Sequence, residues 1–165
     1  MKTSASVFLL VAAAAVAGPA LADNMMAKVE AMKSSGKAEV FAVENGMYTC
    51  SSCQPEVKIK ANGETQKVTG NSEFDEMAVK VRDPHRIEVI EIQNGHNKVF
   101  TTYIVSADGK TLTVDYNDYT MGKEQKGAYT ATRVAPAPAG ALPVSGSWKV
   151  EQIEEGAKHT AERPH

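Results

Sequence analysis

Cys50 and Cys53, in the run Tyr48-Thr49-Cys50-Ser51-Ser52-Cys53-Gln54-Pro55, are the only cysteines in the chain and its most reactive residues by type. A C-x-x-C pair serves as a redox centre, as half of a metal site or as a covalent staple. In an extended strand its Cα atoms would lie about 10 Å apart at ~3.3 Å per residue, whereas a disulfide needs ~4.4–6.8 Å. A bonded pair therefore requires a turn at Ser51-Ser52, where serine hydroxyls satisfy local backbone groups. Closing so short a loop contributes about 2 kcal/mol through chain entropy, enough to pin a turn but not a domain. A reactive pair asks for a lowered thiol pKa, usually from a helix N-terminus. Here Pro55 and the strand-like Val57-Lys58-Ile59-Lys60 follow instead. Haem attachment would need a histidine at position 54, which is Gln54. Zinc would need two further ligands at close spacing, and His85, His96, His159 and His165 are scattered. The expectation is a Cys50–Cys53 disulfide and no metal ligand, with thiol–disulfide or metal handling as the alternative.

Other chemistry finds little support. The chain has no Gly-x-Ser-x-Gly elbow, no His-Glu-x-x-His and no phosphate-cradling glycine loop. Glu88 and Glu91 sit among apolar strand residues, and Asp75 and Glu76 precede a strand; all four read as solvent-facing side chains. Met25, Met26 and Met32 could be a soft copper(I) site, but a flexible apolar stripe explains them better. No catalytic residue and no cofactor is expected.

The elements that position these residues begin after the first 22. Lys2, an apolar run from Val7 to Ala17, the helix-breaking Gly18-Pro19 and Ala20-Leu21-Ala22 form a secretory signal peptide with cleavage after Ala22. The apolar run is shorter than the ~20 residues of a spanning helix, so the expected location is periplasmic or extracellular, with no membrane span. Without Lys2 the 18 basic residues become 17 against 20 acidic ones, a net charge of −3. Mild acidity with no basic cluster argues against a nucleic-acid partner. Residues 23–153 are expected to form one domain, followed by a disordered tail from Glu154 to His165.

Met25, Met26, Val29 and Met32 have helical spacing within 23–35, with Asp23 or Asn24 to cap it and Gly36 to end it. From residue 39 the period becomes two. Strands are expected at Glu39–Glu44, Val57–Lys60, Glu64–Thr69, around Met77, Val79 and Val81, at Ile87–Gln93, Lys98–Val105, around Leu112, Val114 and Tyr116, at Ala128–Val134, and at Ser147–Val150. Asn45-Gly46, Asn62-Gly63, Asn94-Gly95 and Asp108-Gly109 mark hairpins. Within Ile87–Ile92 the apolar set changes phase between Val89 and Ile90, which predicts a β-bulge there or two covered faces. Residues 135–143 are a Pro/Ala/Gly connector. About eight short strands in an antiparallel meander, closed by one N-terminal helix, make an all-β barrel or half-barrel; a two-sheet sandwich is the alternative.

Gly146-Ser147-Trp148 contains the only tryptophan, and lipocalin-type barrels carry such a Gly-x-Trp with the indole packed across the barrel's closed end. The chain also resembles a group of uncharacterised exported bacterial β-rich proteins, lipocalin-like in pattern. The resemblance rests on Tyr48–Pro55, Val57–Gly63, Met77–Val81, the run Val105-Ser106-Ala107-Asp108-Gly109-Lys110-Thr111-Leu112-Thr113-Val114, and Pro138–Gly140 leading to Ser145–Trp148. It implies an exported β-rich fold and supplies no activity or catalytic residue. The Trp148 strand looks like the start of a further β-unit with seventeen residues after it, which leaves either a truncated chain or an open barrel as the expectation. The functional expectation is a soluble exported protein that binds a small apolar or amphiphilic ligand, or a protein partner.

Overall fold

Alternation places every second side chain on one face, and a sheet with one apolar face must curl or pack to bury it. The computed structural model describes residues 24–155 and shows the curling solution, a ten-stranded antiparallel meander forming a nearly closed barrel. One helix, α1 (Met25–Ser35), precedes strands β1 (Glu39–Glu44), β2 (Met47–Cys50), β3 (Val57–Lys60), β4 (Gln66–Lys67) and β5 (Glu76–Asp83). Then come β6 (Arg86–Gln93), β7 (His96–Val105), β8 (Thr111–Asp118), β9 (Gln125–Ala135) and β10 (Gly146–Glu155). The spatial order is β3-β2-β1-β10-β9-β8-β7-β6-β5-β4, all in one sheet, so the sandwich alternative is not what forms.

Register carries the inward row from strand to strand. Val43 lies opposite Tyr48 and Tyr48 opposite Ile59; Val79 opposite Val89, Val89 opposite Thr101, and Thr101 opposite Tyr116. These residues are buried. Asn45 and Asn94, with φ of 52° and 50°, precede Gly46 and Gly95 at 76° and 79°. Positive φ at both central positions is what a two-residue I′ hairpin requires, and Asn-Gly supplies it at low cost.

Several expectations need correction. Asn62-Gly63 does not make a hairpin between β3 and β4, because these are the two edges of the sheet. Asn62 instead bridges Lys80 of β5, and the Gly63 N–H donates to the Val79 carbonyl at 2.7 Å. Across the seam the Gln66 side chain imitates a neighbouring backbone: its Oε1 accepts from Lys60 N at 2.9 Å and its Nε2 donates to Lys60 O at 2.8 Å. The expected strand 64–69 thus contracts to two residues.

The bulge lies elsewhere than predicted. Pairing of β6 with β7 shifts between Glu91 and Ile92, with Lys98 the extra residue, so Ile87, Val89 and Glu91 keep one phase. Ile90 and Ile92 occupy the other face, half-buried and buried respectively. Strand β9 begins at Gln125, ahead of the expected start at Ala128, because Asp118 pairs with it there. Glu154 and Glu155, expected in a disordered tail, pair with Ala128 and Gly127. β10 is an interior strand between β1 and β9, so the opening expected after Trp148 is filled from both sides.

Trp148 is fully buried and donates through Nε1 to the Val144 carbonyl at 3.1 Å. The Arg133 guanidinium lies 4.2 Å from the ring centroid and donates to the carbonyls of Gly109, Pro143 and Ser145. An aromatic face and three carbonyls offset the desolvation of this cation. Gly146 makes room for it, since a Cβ there would come within 2.4 Å of Arg133 Nη1. That contact is the physical content of Gly-Ser-Trp in this chain.

Gly127 plays a similar part inside the sheet, where a Cβ would sit 2.2 Å from the hydroxyl oxygen of Tyr116, its cross-strand partner. A strand glycine covered by a neighbouring aromatic ring is a close-approach site. Gly127→Ala is expected to lower stability by about 1–3 kcal/mol through overpacking, read by denaturant unfolding. Unchanged stability would mean that Tyr116 swings aside freely.

Candidate functional site

A barrel of this size leaves internal space unless large side chains fill it. Here the space is a cavity of about 770 Å³, within the ~300–1,000 Å³ typical of small-molecule sites. Met77, Val89 and Phe74 form its apolar wall; Glu39, Glu91 and Thr101, with Tyr48, Tyr103 and Tyr129, supply the polar groups.

Helix α1 covers the cavity. Asn24 caps it, its side chain accepting from Ala27 N at 2.8 Å, and Gly36 ends it in the left-handed conformation with its N–H on Met32 O. Val29 is fully buried, with Met25 and Met32 packed against the core and also lining the cavity. The methionines thus serve as adaptable packing. Buried Asp118 at the end of β8 ties the helix start to the barrel, accepting from Met25 N at 2.7 Å through Oδ2. Its Oδ1 is held by the N–H and hydroxyl of Thr120. A carboxylate there also complements the helix dipole. Farther along the helix Lys28 pairs with Glu73, whose N–H is held by the Asn71 side chain at 2.7 Å.

The cysteines belong to the rim. Their Cα atoms are 5.4 Å apart and the sulfurs are bonded, with Ser51-Ser52 in the connecting bend. The loop is tied to β1: Ser51 N donates to Val40 O at 3.1 Å, and Val40 N donates to Ser52 Oγ at 2.8 Å. Cys50, Ser52, Cys53 and Gln54 all line the cavity. Strand β3 follows the pair, so no helix N-terminus points at either sulfur. His85 and His96 are exposed, in a turn and at the start of β7, and His159 and His165 lie outside the described residues. Among the described residues no group of three or more His, Cys, Asp or Glu side chains could hold a metal ion, and no helix is long and apolar enough to cross a membrane. The proposed signal peptide likewise falls outside the described residues.

One carboxylate reverses its sequence reading, and a second that the sequence did not single out joins it. Glu88 does point outward, to Arg82 at 2.6 Å. Glu91 lies on the opposite face and lines the cavity. So does Glu39, whose Oε1 accepts from the Tyr129 hydroxyl at 2.7 Å and Oε2 from the Tyr103 hydroxyl at 3.0 Å. The signal was phase: Glu39 shares parity with Phe41 and Val43, and Glu91 with Ile87 and Val89. Both glutamates keep some accessible surface, and both line the cavity.

Enclosure governs the electrostatics. Loss of water raises the Glu39 pKa, against the lowering effect of the two tyrosine hydrogen bonds. For Glu91 burial again dominates, opposed by Lys28 and reinforced by Glu73, Asp118 and Glu39, and the pKa rises to about 7. Burial followed by the charge of Glu39 pushes Tyr103 and Tyr129 well above the usual phenol range. No family model, curated protein or solved structure matches the chain.

Because the folded state holds the Glu91 proton more tightly than the unfolded chain, its stabilising contribution is complete below pH 4.5 and lost as pH rises through about 7. Glu91→Gln removes that loss. The variant is expected to melt above the parent in mildly alkaline buffer, the gap closing as pH falls towards 4.5. Parallel thermal melts across that range test this; a gap independent of pH would contradict the assignment.

Proposed function

We propose that this protein is an exported β-barrel binding protein whose cavity takes a small apolar or amphiphilic molecule. The observation that carries the reading is the cavity itself: a space of about 770 Å³ under a covering helix, walled by apolar side chains with a few convergent polar groups. Export is supported by the signal-peptide pattern of residues 1–22 and by the disulfide, a bond that persists in oxidising compartments. The resemblance to exported β-rich proteins implies a β-rich fold and supplies no activity, and fold alone does not establish function.

Titration with the neutral fluorophore N-phenyl-1-naphthylamine is expected to give saturable enhancement. Val89→Trp, which fills the cavity from its wall, should abolish it while cooperative melting persists. No enhancement with the parent protein, together with no co-purified small molecule in native mass spectra, would overturn the reading.

The thiol–disulfide and metal alternative is tested separately. Two thiols are expected only after treatment with strong reductant, and no stoichiometric zinc or copper. An easily reduced pair with a depressed thiol pKa, or bound metal, would establish that alternative instead.

A further inference from the structure

A purely apolar ligand would leave the cavity's charges unmet. Its inner wall carries Glu39 and Glu91, and the cations among the lining residues are Lys28, already paired with Glu73, and Lys37, exposed at the rim. Around Glu91 stand Lys28 from α1, Glu39 from β1, Glu73 from the segment before β5 and Asp118 from β8. Tyr48 of β2 and Tyr103 of β7 also lie within its electrostatic reach. One lysine thus faces four carboxyl groups.

The two glutamates differ in how they are satisfied. Glu39 is held in place by two donated hydroxyls, which fix its orientation and leave acceptor capacity on both oxygens. The Glu91 side chain has no hydrogen-bond partner among the described residues, and its cross-strand neighbours are Met77 and Val99. An enclosed acid between apolar side chains is costly until a partner of opposite charge or a donor reaches it. The hydroxyls of Tyr103 and Tyr129 are committed to Glu39.

Resting on the binding reading above, we infer that the ligand brings that partner: the cavity takes an amphiphile whose head group is a protonated amine, directed at Glu91 and Glu39, with its apolar body against Met77, Val89 and Phe74. A carboxylate head group would meet two acids, with the lining lysines paired or held at the rim. A neutral alcohol could hydrogen-bond but would leave the charge unanswered. Seating an ammonium beside Glu91 favours the ionised carboxylate, so binding displaces a proton wherever the free acid is protonated.

Three ligands with the same ten-carbon chain separate the head groups: decylamine, 1-decanol and decanoate, each displacing N-phenyl-1-naphthylamine. At about pH 8 decylamine is expected to bind at least about tenfold more tightly than 1-decanol, with decanoate weakest. The preference should shrink at about pH 5.5, where Glu91 holds its proton. Glu91→Gln should bring decylamine down to about the affinity of 1-decanol, and Glu39→Gln should reduce the preference. Calorimetry in buffers of different ionisation enthalpy should show proton release near neutrality for decylamine and none for 1-decanol. If 1-decanol or decanoate binds as tightly as decylamine, or the preference survives in Glu91→Gln, the head-group inference falls and the cavity remains a binding site. If neither the fluorophore nor any of the three binds, the binding reading falls with it.

Discussion

The pairing of β10 with both β1 and β9 is the constraint on which the rest depends. The N-terminal module of α1 and β1 to β3 and the long meander from β4 to β9 share one continuous sheet because the last strand runs between them. Trp148 on that strand lies opposite Arg133 on one side and Glu39 on the other. The same residue therefore stacks under the Arg133 guanidinium and fixes the level at which Glu39 enters the interior. The β1–β10 pairing joins residues far apart in sequence, so the hydrogen bonds that complete the wall form only after a large loop is closed.

Closure creates an interior whose polar groups have to be satisfied by one another. Glu39 and its two tyrosines form such a unit, and Phe41 packs 5.1 Å from Tyr103 and 6.1 Å from Tyr48, bracing the aromatic wall. Asp118 does comparable work at the mouth, where a buried carboxylate serves a helix N-terminus and a threonine together. Glu91 stands apart from both units. The cavity is thus built around one acid already coordinated by protein donors and another that is not.

Much of the fold was legible in the chain because alternation and turn chemistry are local. The two Asn-Gly pairs with doubly positive φ, the helix with its Gly36 end and the bonded Cys50–Cys53 turn all arise from neighbouring residues. The failures have non-local causes. Asn62-Gly63 carries the same dipeptide, yet its flanking strands find partners elsewhere, so the turn serves a seam. Gln125 to Gly127 look like loop until β8 pairs with them, and Glu154 looks like tail until Ala128 does. The site was partly legible: reading Glu39 and Glu91 by phase rather than by charge would have placed them inside. That Tyr103 and Tyr129 converge on Glu39 comes from register across several strands, which no local pattern states.

The seam also bears on how copies of this protein meet. An unpaired strand edge is a template for another chain, and a barrel that closes incompletely keeps two such edges. Here each is short, and they carry Lys58 and Lys60 on one side and Lys67 on the other, all exposed. Part of the open ladder is already consumed by the Gln66 amide, which occupies both the donor and the acceptor of Lys60. A second molecule approaching edge-on would have to displace that amide and bring like charges together. The incomplete closure that gives the barrel its gap therefore comes with its own barrier to strand-to-strand aggregation.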